Sequence, residues 1–298
     1  MKRSPLPTQS PRTSGVSLLI EGGGMRGFYS AGILARLAEE GLRFPLVVGV
    51  SSGALAAASY VGGLFGAGRE PDFEALGSSP TTLLSPRGLV RPREGLLHTD
   101  AFIDLFLDEC WQGVVESPQT LCIPATDAAT GNLTWWETGD FLAGPDALRE
   151  RAVASASIPF VMPQAQVDGR VYADGGIRDS IPVQRAEEAG YTRHVLLLTR
   201  PRGYVKGRQR LELYLRWWLR PYPALKKAML QRHVHYNESI RRVEAIEDEG
   251  RAFVFRMDVQ DLGRFEYNPG KFRATYRKGY ADAEARMPEL ERWLAAVR

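Results

Sequence analysis

The sequence predicts an α/β fold with parallel strands, and three observations support this prediction. An apolar run at 16–20 is followed by a glycine cluster and an amphipathic helix at 28–40. A second apolar run, at 44–50, leads directly into a small-residue helix at 54–61. Successive strand–loop–helix units imply parallel strands with right-handed crossovers. The 298 residues, 44% of them hydrophobic, suffice for one large domain with an appendage.

Strands and helices continue to alternate until the composition changes near residue 200. A Gly/Pro/Ser-rich stretch at 62–95 is interpreted as a loop that shapes an entrance. We predict helices over 99–111, 146–157 and 182–189, and strands over 121–126, 133–137, 164–167, 170–173 and 194–199. Asp168-Gly169 is a strong hairpin signal between two of these strands. Further on we expect mostly helix over 205–249, a strand over 252–258 and a last long helix over 271–286.

Charge, cysteine content and hydropathy bear on the partners and the cellular compartment of the protein. The net charge of +3 is small for this length, so bulk charge indicates no partner. Cys110 and Cys122 form no CxxC pair, which is compatible with a reducing compartment. No run approaches the roughly 18 apolar residues that span a bilayer. The basic, proline-containing start, 1–15, is expected to be a disordered tail rather than a signal peptide, and we expect a cytoplasmic protein.

The glycine cluster EGGGMRG has the spacing of a dinucleotide-binding loop, because Gly22, Gly24 and Gly27 fit G-x-G-x-x-G. Such a loop also requires an acidic residue about 20 positions on, at the end of the second strand, to hold the ribose hydroxyl. That place is occupied by Val50 and Ser51. The acidic residue that would bind the ribose of a nucleotide is therefore missing, and we expect neither a nucleotide nor another cofactor.

Ser51 lies in a Gly-x-Ser-x-Gly pattern, Gly49-Val-Ser-Ser-Gly53, between a predicted strand and a predicted helix. This pattern forms a sharp elbow that exposes a serine hydroxyl at the carboxyl end of the sheet. The flanking glycines relieve crowding there, and the next amide lies at the positive end of the helix. A turn between buried elements would also explain the glycines, but the position after a strand favours a nucleophile.

An alcohol nucleophile needs a base, which is usually histidine. None of the four histidines (His98, His194, His233 and His235) follows a strand in a loop where a triad histidine belongs. Asp174 is the better candidate, since it follows the predicted strand 170–173 and precedes two glycines. A desolvated carboxylate can act as a direct base. A further Asp-Gly turn is the plain alternative.

Three motifs in this order resemble the signatures of the patatin-like phospholipases: Glu21-Gly-Gly-Gly-Met-Arg-Gly27, Gly49-Val-Ser-Ser-Gly53 and Asp174-Gly-Gly176. Ala154-Ser-Ala-Ser-Ile-Pro159 is similar to the family's segment before its aspartate, and the hairpin from Ala125-Thr-Asp127 to Trp135 also fits. The resemblance covers about 16–200. It implies a three-layer α/β/α sandwich with a mainly parallel sheet.

The resemblance also implies a Ser–Asp dyad without histidine and without metal. Ser51 would be the nucleophile and Asp174 the base. The remaining site residues would be Gly22, Gly23, Gly24, Arg26 and Gly27 at the oxyanion hole, Gly49, Ser52 and Gly53 at the nucleophile elbow, and Gly175 and Gly176 beside the aspartate. Residues 201–298 resemble the extension of a bacterial branch of the family, and no catalytic role transfers to them. The resemblance rests on Pro201-Arg-Gly-Tyr204, Tyr236-Asn237 and Tyr276-x-x-Gly-Tyr280.

The extension is strongly basic, with twelve Lys or Arg side chains against Glu212 and Glu238 between residues 200 and 242. The segment 211–220 places leucines and a tryptophan on one helical face and arginines near the other. Such a helix either docks on the core or contacts an anionic membrane surface at the inner face of the membrane. Sedimentation with anionic vesicles would distinguish these roles. No nucleic-acid motif accompanies the charge.

We therefore expect a lipid acyl hydrolase acting on glycerophospholipids or related fatty-acyl esters. The expected organisation is a tail at 1–15, a hydrolase domain at 16–200 and a mainly helical extension at 201–298 packed on it. A lysophospholipase, a thioesterase or an acyltransferase could use the same acyl-serine. A non-catalytic lipid-binding or protein-binding module stays open as an alternative of another class, and a nucleotide-binding module as a third.

Overall fold

The computed structural model describes residues 13–65, 70–73, 100–107, 109–208, 219–258, 263 and 268–296. The predicted tail up to residue 12, most of the loop at 62–95, His98 and most of the segment 211–220 lie outside the described residues. The strands are β1 (Val16–Ile20), β2 (Leu46–Gly49), β3 (Thr120–Asp127), β4 (Leu133–Glu137), β5 (Ala165–Val167), β6 (Arg170–Asp174), β7 (Arg193–Leu198) and β8 (Ala252–Arg256). The helices are α1 (Gly27–Glu39), α2 (Ser52–Val61), α3 (Asp100–Leu107), α4 (Trp111–Glu116), α5 (Pro145–Ala156), α6 (Val183–Glu188), α7 (Pro223–Asp248) and α8 (Pro269–Ala295).

The described strands form one sheet in the order β5-β6-β3-β2-β1-β7-β8, with β4 paired to β3. Strands β3, β2, β1, β7 and β8 are mutually parallel, as the alternation of strands and helices predicts. β6 and β4 run antiparallel to β3, and β5 runs antiparallel to β6. The Asp168-Gly169 hairpin is confirmed, because both residues have positive φ, as a tight two-residue turn requires.

Helices cover both faces of the sheet, because successive strand side chains point to opposite faces. Val16, Leu18 and Ile20 of β1 pack in one cluster with α1, α2 and α8. Leu19 of β1 packs in a second cluster with α6 and α7, and β7 and β8 alternate in the same way. This arrangement confirms the three-layer α/β/α sandwich with a mainly parallel sheet and a largely helical C-terminal region.

The described part of the C-terminal region supplies one strand and two helices to this architecture. β8 pairs with β7, α8 crosses α1, and α7 covers the opposite face. The first cluster includes Phe272 and Leu290 of α8 together with Phe28 of α1. The region beyond residue 200 thus shares the core with the region before it, and the division of the chain near 200 stays a prediction.

Several helix boundaries differ from the sequence prediction. The predicted helix 99–111 is two helices, and Glu109 lies between them with a φ of 62°. Among the described residues of 205–249, helix begins only at Pro223, which occupies its first turn, whereas 205–208 are not helical. The last helix is longer than 271–286. The Asn268 side chain caps the start of α8 by accepting a hydrogen bond from the Lys271 amide. The helix continues past Pro288, because Leu290 and Leu294 beyond it are buried.

Candidate active site

Two loops of the predicted site meet because their strands are neighbours in the sheet. The glycine cluster follows β1 and Ser51 follows β2, and these strands are parallel with Ile20 opposite Gly49. The carboxyl ends of adjacent parallel strands lie at the same edge, where open α/β sheets commonly hold their ligands. The sheet therefore brings the two loops together.

Ser51 occupies a strained backbone conformation, with φ 58° and ψ −127°. Such a conformation costs of order 1–3 kcal/mol in a residue with a side chain, so the surroundings must enforce it. A Cβ added at Gly49 would lie 2.3 Å from the Gly53 carbonyl oxygen, and one at Gly53 would lie 2.6 Å from the Ile20 oxygen. The Ser51 amide donates to Ser155 Oγ at 3.0 Å. The elbow is thus packed too closely for any larger residue at either glycine.

The glycine loop and the elbow contact each other directly. A Cβ added at Gly22 would lie 2.8 Å from Ser51 Cβ, so the Gly22 backbone lies against the serine. The Gly23 amide donates to Ser52 Oγ at 3.0 Å, and a Cβ at Gly27 would lie 2.9 Å from the same oxygen. Ser52 therefore joins the two loops, a role that the sequence does not indicate.

The glycine loop offers main-chain amides as hydrogen-bond donors. The Gly23 amide is engaged by Ser52. Within the part of the chain that the structure describes, the amides of Gly22 and Gly24 donate to no protein acceptor. Gly24 has a φ of 61°, which favours glycine, and it begins the short 3-10 helix Gly24–Arg26 that leads into α1. Free amides at the start of a helix attract negative charge. Arg26 is buried in that short helix.

Asp174 reaches Ser51 through the register of β3. The first residues of β3 pair with β2, Val48 opposite Cys122, and its last residues pair with β6, Ala125 opposite Asp174. Ser51 follows Val48 by three residues, and Ala125 follows Cys122 by three. The two side chains consequently lie at the same level along the sheet, although they are far apart in sequence.

The Asp174 carboxylate joins the Ser51 hydroxyl to the loop behind it. Ser51 Oγ donates to Asp174 Oδ2 at 2.7 Å, and the Gly176 amide donates to Asp174 Oδ1 at 2.7 Å. Both side chains are buried, and a Cβ at Gly175 would lie 2.5 Å from the Pro124 oxygen. A serine hydroxyl bonded to a buried carboxylate can transfer its proton to that carboxylate during attack on an electrophile.

The described histidines lie elsewhere. His194 is buried in β7, where its Nδ1 lies 2.8 Å from Ser17 Oγ, and burial together with Arg251 and Arg242 lowers its pKa to about 4. His235 on α7 lies 2.7 Å from Arg178. His233 also lies on α7. Asp168 is exposed in its hairpin and forms an ion pair with Arg151. Asp174 is the acidic residue that the structure brings to Ser51.

Some residues that contact this site were not among the predicted site residues. Ser155 supports the elbow from α5, and the signal that could have indicated it is the segment Ala154-Ser-Ala-Ser-Ile-Pro159, in which it lies. Arg232 and Tyr236 of α7 contact the loops that carry Asp174 and the glycines. Among the residues that the structure describes, no group of three or more His, Cys, Asp or Glu is arranged to hold a metal. None of the described helices combines the length and apolar character needed to cross a bilayer.

The fold and the site define an α/β sandwich protein with a serine–aspartate pair at the carboxyl edge of its sheet. A model of the patatin-like phospholipase family matches residues 18–187, and the chain belongs to that family. Membership supports a lipid hydrolase. A second model, a domain of unknown function (DUF6363), matches residues 222–295, which include α7 and α8.

The curated relatives match only part of this chain. The chain is 33% identical over 179 residues to uncharacterized NTE family proteins of Mycobacterium bovis and of Mycobacterium tuberculosis. The match covers 59% of this chain and 46% of each relative, so it spans about half the length of those proteins. Among solved structures, VipD from Legionella pneumophila is similar with a TM-score of 0.47 and 12% identity, over 97% of this chain and 68% of that one.

Proposed function

We propose that this protein is a serine acyl hydrolase that cleaves carboxylic esters of glycerophospholipids through an acyl-serine intermediate. One observation carries the proposal: Ser51, held at φ 58° in its elbow, donates to the Asp174 carboxylate at 2.7 Å. Membership of the patatin-like phospholipase family supports the lipid ester as substrate. The intact pair argues against a purely lipid-binding module, because binding alone needs neither the strained serine nor the buried carboxylate.

In the first half of the proposed reaction, Ser51 Oγ attacks the ester carbonyl carbon and its proton passes to Asp174 Oδ2. The carbonyl oxygen becomes an oxyanion, which the amides of Gly22 and Gly24 would stabilise. One preorganised donor of this kind is worth about 3–4 kcal/mol. The bond to the leaving alcohol then breaks, and Asp174 returns the proton to that alcohol. Ser51 is left as an ester of the fatty acid.

In the second half, a water molecule attacks the acyl-serine while Asp174 takes its proton. The same amides stabilise the second oxyanion. Ser51 Oγ then leaves and receives the proton from Asp174, so that the fatty acid and the free enzyme are formed. An acceptor alcohol in place of water would give acyl transfer.

The test is a pair of variants with a matched control. We expect Ser51→Ala and Asp174→Asn each to reduce hydrolysis of p-nitrophenyl esters by at least about 10³-fold, because each removes half of the proton-transfer pair. Asp168→Asn changes the neighbouring Asp-Gly pair, which lies in an exposed turn, and should retain wild-type activity. Circular dichroism establishes that each variant is folded.

A serine-directed fluorophosphonate distinguishes the nucleophile from other serines. Mass spectrometry should find the label on Ser51 in the wild-type protein and no label in Ser51→Ala. Full activity of either folded variant, or a label only elsewhere, would contradict the proposal. A panel of phospholipids, lysophospholipids, acylglycerols and acyl thioesters then identifies the preferred substrate and separates phospholipase from lysophospholipase or thioesterase activity.

A further inference from the structure

Helix α7 contacts both loops of the candidate active site through two side chains one turn apart. Tyr236 and Arg232 lie four residues apart, so they share one face of the helix, and both are buried. The hydroxyl of Tyr236 reaches Glu21, and the guanidinium of Arg232 reaches Gly176. This face therefore joins the glycine loop to the aspartate loop from behind.

Glu21 immediately precedes the glycine loop, and its buried carboxylate accepts hydrogen bonds on both oxygens. Tyr236 donates to Oε1 at 2.8 Å, while the amide and hydroxyl of Thr199 donate to Oε2 at 2.6 and 3.0 Å. A Cβ at Gly23 would lie 2.7 Å from Thr199 Cγ2, so Thr199 lies directly behind the loop. Burial and the Glu21 carboxylate raise the pKa of Tyr236 above its usual range, so its hydroxyl stays a donor. These bonds fix where the loop leaves β1.

Arg232 acts on the other loop. Its Nε donates to the Gly176 carbonyl oxygen at 2.7 Å, and Ser180 Oγ donates to the same oxygen at 2.8 Å. The Gly176 amide in turn donates to Asp174 Oδ1. The carbonyl of Gly176 thus accepts a hydrogen bond from Arg232 of α7, while its amide orients the Asp174 carboxylate. The orientation of Asp174 towards Ser51 depends on this residue.

We propose that Tyr236 and Arg232 are positioning residues for the acyl-transfer chemistry, which act through Glu21 and Gly176 without touching the substrate. This proposal rests on the proposed function for its catalytic consequence. It gives the C-terminal region a role in the reaction, because α7 aligns the amides that would receive the oxyanion with the carboxylate that would receive the proton. A misplacement of about 1 Å in such a pair can cost about a hundredfold in rate.

The test uses two variants that keep the shape of the side chain, Tyr236→Phe and Arg232→Met, with Arg232→Lys as a second choice should the methionine variant be insoluble. Each has a matched control. Tyr29→Phe also removes a buried hydroxyl from a carboxylate, that of Asp282 at 2.9 Å. Arg286→Met also removes a guanidinium from a carbonyl oxygen, that of Val254 at 2.7 Å in the edge strand β8. The controls match the chemistry, but these hydrogen-bond partners lie outside both loops.

We expect kcat for a p-nitrophenyl ester to fall about tenfold or more in Tyr236→Phe and Arg232→Met with KM nearly unchanged, because substrate contacts are kept. The controls should keep kcat within about twofold, although all four variants unfold at a lower temperature. Fluorophosphonate titration counts the intact sites, which separates a slower site from a smaller number of sites. Unchanged kcat per intact site in both helix variants would overturn the proposal.

Hydrogen–deuterium exchange tests the same contacts without relying on catalysis. Amides of 21–27 should exchange faster in Tyr236→Phe and those of 174–180 in Arg232→Met, and neither segment should change in the controls. Exchange that is unchanged in both variants would overturn the proposal even for an active enzyme. A wild-type protein that neither hydrolyses esters nor labels at Ser51 would refute the proposed function, and the exchange result would then decide by itself whether α7 positions these loops.

Discussion

At the scale of single residues, the site depends on backbone segments that approach too closely to admit a side chain. Ser51 is held at positive φ by neighbours without side chains, since a Cβ at Gly22 or Gly49 would collide with its loop. Asp174 is held by the Gly176 amide, so its second oxygen faces the serine. Glycine is therefore required at these positions because neighbouring backbone segments approach closely, and not because the loop must be flexible.

We expect His194, a buried residue remote from the site, to make the stability of the protein depend on pH. His194 lies in the sheet, and its pKa is lowered from about 6.5 to about 4, chiefly by burial. Between these values the unfolded chain binds a proton that the folded chain does not bind. The free energy of unfolding should therefore have its full value above about pH 6.5 and fall by about 1.4 kcal/mol per unit as the pH decreases towards 4.

Urea unfolding between pH 7 and pH 4 checks this prediction, with His194→Gln as the comparison. Carboxylates also titrate in this range, but they contribute equally to both proteins. The variant should be less stable at pH 7 and lose less stability on acidification. Equal losses in the two proteins would show that His194 does not cause the effect.

At the scale of elements, the crossing of α1 and α8 is an unusually close helix contact. A Cβ at Gly32 of α1 would lie 2.0 Å from the Tyr276 oxygen, and one at Gly279 of α8 would lie 2.0 Å from the Tyr29 oxygen. The two contacts are reciprocal, so each glycine receives the backbone of the opposite helix. Phe28 and Phe272 stack beside the crossing with ring centroids 4.9 Å apart.

Two opposing effects bear on an alanine at this crossing. Alanine in place of glycine favours a helix by about 1 kcal/mol. The added methyl collides with main-chain oxygen, which no side-chain rotation can relieve, and such overpacking costs about 1–3 kcal/mol or more. We expect the collision to dominate, so that Gly32→Ala and Gly279→Ala each lower the Tm by several degrees.

Calorimetry measures this effect, with Gly139→Ala as the control because its Cβ would meet nothing within 4 Å. That variant should lie within about 0.5 kcal/mol of the wild type. The double variant tests whether the two glycines serve one contact. If so, its loss should be smaller than the sum of the single losses. A Tm at or above that of the wild type in both single variants would contradict the close crossing.

At the scale of the whole molecule, the two matched regions share a hydrophobic cluster on each face of the sheet. Tyr236, Ile240 and Val243 of α7 pack with Leu196 of β7, and α8 covers the opposite face. Removal of 201–298 would expose the surface of α1 that α8 covers, the face of β7 that α7 covers and the strand edge of β7 that pairs with β8. We therefore expect the fragment that ends at residue 200 to lack a cooperative unfolding transition, because the exposed apolar surface no longer offsets the chain entropy.

Far-ultraviolet circular dichroism during heating checks the fragment. Deletion of residues 1–12, the first part of the predicted tail 1–15, is the control and should leave the Tm unchanged. A fragment that unfolds cooperatively near the wild-type Tm would show that the region up to 200 is an independent domain. The predicted contact of 200–242 with an anionic membrane stays a separate prediction.

The elements and motifs of this protein were readable from the sequence because they depend on local patterns. The strand 16–20, the elbow at Ser51 and the hairpin at Asp168 follow from apolar runs and from the conformations that glycine permits. The predicted helical stretch 205–249 runs across Pro223 and the predicted helix 271–286 ends before Pro288, whereas in the structure Pro223 begins one helix and Pro288 lies within the other. Proline signals a boundary only where burial does not override it.

The sequence by itself determined the order of strands and helices, the candidate serine and aspartate, and the resemblance to the family. Tertiary structure decided how these parts meet. The register of β3 sets Asp174 level with Ser51, and the packing of α7 brings Tyr236 to Glu21 at the carboxyl end of β1. Local patterns report φ, ψ and burial within a few residues. Contacts between distant segments depend on strand register and helix packing, which no short stretch of sequence encodes.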